Sequence, residues 1–378
     1  MRIVIDYTPA VHQGAGIGRH TRGLVSALAP YIAGHDVTLL VFGRPRDDRA
    51  LAAPPTMSVR VVPLPNRWLT LGWHRLGLPL PVEWLSGAAD LYHASDFVLP
   101  PVRSARSLLT VHDLSFMTVP DCADASLRDY LSHAVPRSVA RADHVLADSE
   151  STRSDLIRLL GTSPDKVTVV YPGVEARFQP QQDAAVLTRL RQRYALGDGP
   201  FVLGVGTLEP RKNWPRLIVA WTRLRQTSRL PHRLVIAGGK GWLADGIFEA
   251  AQASPYRADI LFTGFVDDAD LPALYTAADV FAFPSRYEGF GIPVVEAMAC
   301  GTPVVCADNS SLPEAAGDAA LLVASDDEAE LAAALQRLIE EQALRQRLRT
   351  AGLAQAARFT WPAAAAMLWQ AYERTYHA

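Results

Sequence analysis

Short apolar runs alternate with helical patterns twice along this chain of 378 residues. Runs of this length, bounded by glycine, proline and charged residues, predict buried strands rather than helices. They fall at 2–7, 37–42, 59–62, 90–93, 108–111, 144–147 and 167–170, and then at 201–205, 234–237, 260–262, 280–283, 304–306 and 321–323. Strands that alternate with helices predict βαβ units and parallel sheets. We therefore predict an α/β protein with two Rossmann-like, doubly wound domains that face each other across a cleft.

A linker separates the two halves. Residues 171–183 contain two prolines and a glycine and show no apolar periodicity, which is typical of a connecting segment. The predicted domains are therefore 1–182 and 183–361, and the sequence after Pro362 predicts a terminal helix. Ligands of doubly wound sheets bind at the carboxyl ends of the strands, so the residues that follow each strand are the first candidates for function.

Composition and charge narrow the class of protein. Hydrophobic residues make up 49% of the chain, charged residues 20%, and the formal net charge is −2. These values predict a large buried core and argue against nucleic acid as a partner. The three cysteines (Cys122, Cys300 and Cys306) form no C-x-x-C pair, which is typical of a reducing compartment. The first residues resemble a strand rather than a signal sequence, and no apolar run reaches the ~18 residues of a membrane span. We expect a cytoplasmic protein.

Residues 60–85 combine basic side chains with large apolar ones. The segment includes Arg67, His74, Arg75, Trp68, Leu71, Trp73 and Trp84. A segment of this kind can make a peripheral contact with a membrane, in a cytoplasmic protein at the inner face of the plasma membrane. The favoured interpretation is a helix and loops packed on the first sheet, because tryptophans mostly serve cores.

Residues 283–303, FPSRYEGFGIPVVEAMACGTP, hold the most informative pattern. Glu288 and Glu296 lie eight residues apart, and the turn Gly289, Phe290, Gly291 lies between them, followed by Pro293, which suits the first turn of a helix. We therefore place Glu288 in a loop and Glu296 in a short helix. Backbone N–H groups of the turn and the helix start would form an anion site flanked by two carboxylates that bind hydroxyls. A nucleoside diphosphate sugar offers these groups. Alternatively, Glu288 caps the helix and Glu296 is solvated.

A second candidate follows the strand at 201–205. Arg211 and Lys212 precede a predicted helix at 214–226. Basic side chains at a helix N-terminus oppose the helix dipole, so stability alone does not explain them. A diphosphate bound by the guanidinium and the ammonium group would explain the arrangement.

The first half has its own candidates. Gly14, Gly16 and Gly18 follow the first strand, but their spacing is not the G-x-G-x-x-G of dinucleotide-binding proteins. Their N–H groups could still reach a phosphate or a sugar. His112 ends an apolar strand, where it could donate to a sugar hydroxyl or simply orient a loop. Weaker candidates for lining the acceptor side are His93 and Asp96, and Ser149 is expected mainly to cap a helix.

A third group of candidates follows the strand at 260–262. Gly264, Phe265 and Val266 could frame a nucleotide base with backbone groups. Helix capping and the helix dipole explain the nearby Asp267, Asp268 and Asp270, so we predict no metal site there.

Taken together, these motifs resemble the family 4 retaining glycosyltransferases of GT-B fold. The resemblance covers nearly the whole chain and is carried, in order, by TLEPRKN, GFVDDADLPALYTAAD and FPSRYEGFGIPVVEAMACGTPV. It implies a nucleotide-sugar donor bound mainly by the second domain, a saccharide acceptor bound mainly by the first, and no metal. It also implies that the C-terminal helix, 362–378, completes the first domain.

The resemblance also implies roles for single residues. Glu296 would hold the ribose hydroxyls, and Glu288 would lie beside the donor sugar and its leaving oxygen. Arg211 and Lys212 would neutralise the diphosphate, His112 would contact the transferred sugar, and Gly16 and Gly18 would approach the donor from the other domain.

The donor is suggested by a shorter likeness. The stretch HDLSF at 112–116 resembles bacterial mannosyltransferases of polysaccharide assembly, which implies GDP-mannose as donor and a glycan or lipid-linked saccharide as acceptor. The alternatives are a glucosyl or other hexosyl transferase that uses a UDP-sugar, a nucleotide-sugar epimerase of the same two-domain fold, a non-catalytic binding protein and an NAD-dependent oxidoreductase.

Overall fold

Contacts divide the chain into two compact units. The structure is a computed structural model and describes residues 1–14, 16–45, 53–228 and 230–378, without the side chains of Asn66, Arg67 and His74. The first unit contains Met1–Leu114, Ser126–Gly173 and Thr360–Ala378, and the second contains Ser115–Ala125 and Val174–Phe359. The domain boundaries predicted from the sequence stay a prediction, because contacts alone do not show which segments fold independently.

The first unit is built on a parallel sheet of seven strands. In chain order they are β1 (Arg2–Asp6), β2 (Asp36–Phe42), β3 (Ser58–Val62), β4 (Leu91–Ala94), β5 (Arg106–Val111), β6 (His144–Ala147) and β7 (Val167–Val169). Their spatial order is β3-β2-β1-β4-β5-β6-β7. In this order the direction of winding reverses between β1 and β4, where Ile3 pairs with Leu91. The loops that follow β1 and β4 therefore begin on either side of a topological switch point.

The second unit has a parallel sheet of six strands. They are β8 (Phe201–Val205), β9 (Arg233–Ala237), β10 (Ile260–Gly264), β11 (Val280–Phe283), β12 (Val304–Ala307) and β13 (Ala320–Val323). Their order is β10-β9-β8-β11-β12-β13, and the switch point lies between β8 and β11, where Val280 pairs with Val202. All thirteen predicted strands are present, with ends shifted by at most two residues. The prediction of two doubly wound parallel sheets is confirmed.

Helices connect the strands of both sheets. In chain order they are α1 (Thr8–His12), α2 (Ile17–Ala27), α3 (Asn66–Thr70), α4 (Glu83–Ser86), α5 (Ser115–Thr118), α6 (Ala125–Arg141), α7 (Glu150–Leu160), α8 (Ala184–Arg193), α9 (Trp214–Thr227), α10 (Asp245–Ala253), α11 (Leu271–Ala277), α12 (Ile292–Ala299), α13 (Leu312–Ala316), α14 (Glu328–Glu340), α15 (Gln342–Ala356) and α16 (Trp361–His377). A 3₁₀ turn, Pro210–Lys212, precedes α9. No helix among the described residues is both long and apolar enough to cross a bilayer.

The C-terminal helix α16 belongs to the core of the first unit. Its buried face, which includes Leu368 and Tyr372, packs with Ile3, Leu24 and Leu39 of the first sheet and of α2. Burial of such side chains stabilises by about 1.5–3 kcal/mol each relative to exposure. The terminal helix was predicted from the sequence, and its position in the first unit agrees with what the resemblance implied.

Candidate functional site

At the switch point of the second sheet, the loops that follow β8 and β11 meet. Arg211 and Lys212 lie in the 3₁₀ turn after β8, and Glu288 lies in the loop after β11. The two loops are joined by the main chain as well, since the Arg286 N–H donates to the Arg211 carbonyl oxygen at 2.8 Å. Parallel strands with this winding therefore bring together residues about 77 positions apart in the chain.

Glu288 is the centre of a cation–carboxylate cluster formed by Glu209, Arg211, Lys212 and Glu288. Lys212 Nζ donates to Glu288 Oε1 at 2.7 Å, and Arg211 Nη1 donates to Glu288 Oε2 at 2.8 Å. Arg211 Nη2 also donates to Glu209 Oε1 at 2.7 Å. Glu209, Lys212 and Glu288 are buried. The two positive and two negative charges balance, so each buried ion has an opposite charge at hydrogen-bond distance.

Local backbone geometry fixes the lysine of this cluster. Asn213 takes the left-handed conformation with a φ of 59°, and its Nδ2 donates to the carbonyl oxygens of Pro284 at 3.1 Å and Ser325 at 2.8 Å. The Lys212 ammonium lies 4.8 Å from the centre of the Phe283 ring, which adds a cation–π contact. Lys212 is thus held from three sides before any ligand binds.

The charges of the cluster shift the pKa values of Glu288 and Lys212. Burial would raise the pKa of Glu288, but the positive charges of Arg211 and Lys212 outweigh it and lower the pKa to about 2. Burial lowers the pKa of Lys212, and the Glu288 carboxylate opposes that shift. Glu288 is therefore a carboxylate at neutral pH, and its main-chain N–H is fixed by donation to Ser310 Oγ at 2.9 Å.

Glu296 lies on α12 with its side chain buried. Tyr275 Oη donates to Glu296 Oε2 at 3.0 Å, so the alternative of a solvated Glu296 is wrong. α12 begins after Gly291, which has a φ of +98°. The conformation therefore favours glycine here, and a Cβ at this position would also displace Leu312 Cδ2, which lies 2.7 Å away.

The other predicted residues of the second unit have mixed surroundings. Gly264 ends β10 with a φ of +71°, Phe265 is 64% exposed, and Val266 is buried. Phe290 is buried against Phe359, with ring centres 5.0 Å apart, so it packs inside the unit. Gly289 lies between Glu288 and Phe290 in the same loop. Whether these groups touch a nucleotide stays a prediction.

The acids before α11 have partners of their own. Arg193 pairs with Asp267 and, at 2.7 Å, with Asp270. Arg177 Nη2 lies 3.9 Å from Asp268 Oδ2. These ion pairs account for all three carboxylates without a metal ion.

In the first unit, the glycine loop after α1 is explained by backbone geometry. Gly16 has a φ of +55° and stands at the N-cap of α2. A Cβ at Gly18 would lie 1.9 Å from the Gln13 carbonyl oxygen, so no larger residue fits there. Ala15 of this loop lies outside the described residues. The predicted approach of the donor to Gly16 and Gly18 stays a prediction.

His112 lies at the end of β5, where the sequence places it, and both of its ring nitrogens face acceptors. Nδ1 is 2.8 Å from Asp148 Oδ2, and Nε2 is 3.1 Å from the Ser95 carbonyl oxygen. Burial would lower the pKa of His112, but the Asp148 carboxylate raises it to about 9. The ring is therefore already occupied in the structure, and its predicted contact with the sugar stays a prediction.

Two further residues join His112 in a histidine–carboxylate cluster formed by His20, His112 and Asp148. His20 Nε2 is buried without a hydrogen-bond partner and lies 3.7 Å from Asp148 Oδ1. Burial lowers the pKa of His20 to about 4, so this ring is neutral at pH 7. One potential ligand atom from each residue lies within 4.8 Å of the others, which is close enough for a cation to be considered.

The weaker candidates of the first unit have structural partners. His93 is buried, with Nδ1 2.8 Å from Tyr372 Oη and Nε2 2.8 Å from Thr110 Oγ1. Asp96 accepts from Gln13 Nε2 at 3.2 Å. Ser149 caps α7, since its side chain accepts from the Thr152 N–H, which confirms the sequence-based interpretation of Ser149.

Two family models match the chain. Residues 14–178 match the model "Glycosyltransferase Family 4", and residues 188–355 match "Glycosyl transferases group 1". The O-antigen chain mannosyltransferase B of Escherichia coli is 32% identical over 371 residues, which covers 96% of each protein. The chain belongs to glycosyltransferase family 4.

Solved structures agree with this assignment. Sucrose-phosphate synthase from Thermosynechococcus elongatus is similar with a TM-score of 0.80 at 22% identity, over 100% of this chain and 99% of that chain. The Anabaena Alr3699/HepE protein, in complex with UDP and glucose, gives 0.74 at 21% identity, over 99% of each chain. At these identities the likeness shows the fold, so the predicted GT-B class is confirmed. Membership in family 4 makes the chain a glycosyltransferase and removes the epimerase, oxidoreductase and non-catalytic alternatives.

Residues 60–85 of this glycosyltransferase are only partly packed on the sheet: Trp73 packs against Phe42 of β2, with ring centres 5.7 Å apart, but other large side chains are exposed. Of the sixteen exposed large hydrophobic side chains among the described residues, nine lie between Val59 and Trp84. Trp68 is 59% exposed and Trp84 is 67% exposed. Arg67 and His74, which were part of the predicted basic character, have side chains outside the described part of the chain. The favoured interpretation of a core-packed segment is therefore wrong for these tryptophans.

Sequence reasoning missed four residues of the two clusters and their surroundings. Glu209 lies inside the TLEPRKN motif, and Tyr275 lies inside the GFVDDADLPALYTAAD motif, but neither was assigned a role. Asp148 directly follows a predicted strand, so the rule that ligand groups follow strands could have found it. His20 had no such signal, because only the fold brings α2 to the end of β6.

Proposed function

We propose that this glycosyltransferase transfers a hexose with retention of configuration, without a metal ion, to a glycan or lipid-linked saccharide. Mannose from GDP-mannose is the favoured donor. The observation that carries the proposal is the buried cation–carboxylate cluster at the switch point of the second sheet. The mannosyltransferase B relative, aligned over 96% of the chain, supports mannose as the sugar.

The cluster is suited to a departing nucleoside diphosphate. When the bond between the sugar and the phosphate breaks, negative charge grows on the phosphate oxygens. Lys212 has three N–H donors, of which Glu288 accepts one, and the guanidinium of Arg211, held by Glu288 and Glu209, adds a fixed positive charge beside it. Fixed donors of this kind stabilise such charge by about 3 kcal/mol each, by analogy with oxyanion holes. Glu288 and Glu209 hold both cations in place before the donor binds.

Retention is implied by the resemblance to the retaining family, and the carboxylates argue against a covalent intermediate on the way to it. Glu288 and Glu209 are engaged by Arg211 and Lys212, and Glu296 accepts from Tyr275. A carboxylate that receives such bonds is a poor covalent nucleophile. We therefore favour attack on the same face: the acceptor hydroxyl oxygen bonds to the anomeric carbon as the phosphate oxygen leaves, and the hydroxyl proton passes to that phosphate.

The proposed reaction assigns a role to the carboxyl edge of each sheet. In our proposal the second unit binds the nucleotide sugar, with Glu296 on the ribose hydroxyls and the Gly264–Val266 loop beside the base. The first unit binds the acceptor at the loops after β1, β4, β5 and β6. Gly16, Gly18 and His112 lie in these loops or directly beside them.

A thermal-shift screen of GDP-, UDP- and ADP-sugars tests the donor. GDP-mannose is expected to raise the melting temperature most, and the shift should be lost in Lys212→Ala. Release of GDP should then rise when a mannose-terminated oligosaccharide is added. A larger shift with a UDP-sugar would transfer the proposal to the UDP-hexose alternative, and no shift with any donor would contradict it.

We further propose that residues 60–85 make a peripheral contact with the inner face of the plasma membrane, where a lipid-linked acceptor would lie. Exposed Leu76, Leu78, Leu80, Trp68 and Trp84 supply an apolar surface. Glu83 is the single acid in this stretch. Its Oε1 accepts from the N–H groups of residues 103–105, so an anionic bilayer would meet mainly basic and apolar groups.

Vesicle co-sedimentation tests this contact. The protein should bind vesicles of phosphatidylcholine and phosphatidylglycerol more than pure phosphatidylcholine, and the double variant W68S/W84S should lose most of the binding. The control L353S changes an exposed leucine of α15 in the second unit. Equal binding by wild type and W68S/W84S would overturn the membrane proposal and leave the proposed reaction intact.

A further inference from the structure

The His112 ring joins three neighbouring loops of the first sheet. His112 follows β5, Asp148 follows β6 and Ser95 follows β4, and these strands are adjacent in the order β4-β5-β6. Nδ1 lies 2.8 Å from the Asp148 carboxylate, and Nε2 lies 3.1 Å from the Ser95 carbonyl oxygen. The loop of His112 is also held by Thr152, whose Oγ1 donates to the His112 carbonyl oxygen at 3.3 Å.

The partners of the ring define its protonation. A carbonyl oxygen only accepts hydrogen bonds, so Nε2 must carry a hydrogen to bond with Ser95. The Asp148 carboxylate also accepts, so Nδ1 carries the second hydrogen. With both nitrogens protonated, His112 is an imidazolium ion, and Asp148 compensates its charge inside the protein.

The titratable groups around His112 allow one positive charge, on the His112 ring. The groups that interact with His112 are Asp148 and Asp96, which favour the cation, and His20 and His93, whose own proton affinity His112 lowers. His20 and His93 are buried, and burial lowers the pKa of each, to about 4 and about 3. Only one of the three histidines is therefore charged at neutral pH.

We propose that Asp148 is a positioning residue for glycosyl transfer, because it holds His112 as an imidazolium ion that fixes the loops after β4, β5 and β6. This inference rests on the proposed function, which gives these loops the acceptor side of the reaction. Asp148 itself need not touch either substrate. Its effect is on the geometry of the loops, and therefore on the catalytic step more than on nucleotide binding.

A divalent cation is the competing occupant of this cluster. One ring nitrogen of His20, one ring nitrogen of His112 and an Asp148 oxygen lie within 4.8 Å of one another. However, the 2.8 Å distance between Nδ1 and Oδ2 is that of an ordinary hydrogen bond. A metal ion would have to displace this proton. The observed geometry favours the proton.

Nitrogen NMR of the ¹⁵N-histidine-labelled wild-type protein tests the charge without relying on activity. His112 is assigned by comparison with His112→Gln. Both ring nitrogens should show imidazolium shifts at pH 7.5 and titrate near pH 9, whereas in Asp148→Asn the same transition should move down by at least about one pH unit. A neutral His112 ring at pH 7.5 in the wild type overturns the proposal, even if Asp148→Asn fails to fold.

Kinetics separate positioning from simple support of the fold. Asp155→Asn is the matched control, since Asp155 and Asp148 are each 8% exposed, and Asp155 pairs with Arg158 instead. Asp148→Asn should lower kcat about tenfold to a hundredfold and move its alkaline limb to lower pH, with KM for the nucleotide sugar within about twofold. Asp155→Asn should keep the wild-type pH profile. An unchanged alkaline limb in a folded Asp148→Asn overturns the inference.

The experiments distinguish failure of the proposed function from failure of the positioning proposal. If the wild type releases no nucleoside diphosphate with any donor, the proposed function fails, while the NMR measurement still decides the state of His112. If Zn²⁺ added to EDTA-treated protein raises the melting temperature of the wild type but not of Asp148→Asn, the cluster is a metal site and the positioning proposal is overturned.

Discussion

The carboxyl edges of the two sheets carry clusters of opposite design. In the second unit, two cations are held by carboxylates, and the Lys212 ammonium, of whose three N–H donors Glu288 accepts one, can still donate to a ligand anion. In the first unit, one carboxylate holds a histidine whose two ring nitrogens are both used inside the protein. The cluster of the second unit can therefore bind an anionic ligand, whereas the hydrogen bonds of His112 are made within the protein. The carboxyl edge of a parallel sheet can therefore carry either a group that binds a ligand or a group that fixes the neighbouring loops.

The strongest test of this contrast is Lys212→Ala. Removing the ammonium takes away a fixed donor for the leaving phosphate, so kcat should fall by about a hundredfold to a thousandfold. Glu288 keeps Arg211 as a partner, so the loss of stability should be far smaller than the loss of turnover. Steady-state release of nucleoside diphosphate and thermal unfolding measure the two effects.

Lys240→Ala serves as its control, because Lys240 is exposed on the same unit and lies 3.7 Å from Asp245. It should leave kcat unchanged. If Lys212→Ala and Lys240→Ala behave alike, the cation–carboxylate cluster is only a structural ion pair.

The second test exchanges the central carboxylate, in Glu288→Gln. The amide keeps the shape but leaves the buried Lys212 and the half-buried Arg211 with one fewer anion, and breaking a buried pair destabilises by about 3–5 kcal/mol. The pKa of Glu288 is depressed to about 2, so its stabilising contribution is present above the unfolded value of 4.5 and is lost as pH falls toward 2.

Acid unfolding measures this effect. The wild type should lose stability between about pH 4.5 and 2 more steeply than Glu288→Gln does, while the variant should be less stable at pH 7. Equal slopes in the two proteins would show that Glu288 is not held as a carboxylate by Arg211 and Lys212.

The two clusters also differ in how much of them the sequence could predict. Arg211, Lys212, Glu288 and Glu296 stand in continuous motifs whose local geometry, a strand followed by a turn and a helix, can be worked out from neighbouring residues. Most of the strands were found from local sequence too, since buried parallel strands read as apolar runs; in β3 only the last residue, Val62, is buried. What they bind was not predictable from local order alone.

The partners of His112 could not be predicted in this way. Asp148 lies 36 residues further along the chain, and its contact depends on the register between β5 and β6, where Val111 pairs with Ala147. The exposure of Trp68 and Trp84 was not predicted. Tryptophan is usually buried, but this preference does not show which face of a given segment packs against the core.

A third prediction concerns the ribose end of the proposed donor site. Glu296→Ala should raise the dissociation constant of the nucleotide sugar about tenfold to a hundredfold, because a buried carboxylate that accepts hydroxyl hydrogens is worth about 1.5–3 kcal/mol. Isothermal titration measures it. The matched variant Tyr275→Phe removes the hydroxyl that donates to Glu296 at 3.0 Å and should change affinity much less. Equal losses of affinity in both variants would mean that Glu296 acts through its hydrogen bond with Tyr275 and does not bind the ligand.

The smallest expected effect lies at the edge of the second sheet, in Phe265→Ala. Phe265 is 64% exposed at the end of β10, so its removal should change the free energy of unfolding by less than about 0.5 kcal/mol. If the ring packs on the nucleotide base, binding should weaken by about 1 kcal/mol, a fivefold rise in KM at constant kcat. Leu353→Ala, an exposed leucine of α15, is the control for loss of surface apolar area. A rise in KM confined to Phe265→Ala would extend the binding edge of the second unit from β8 and β11 to β10, whereas identical KM values would confine it to the two strands beside the switch point.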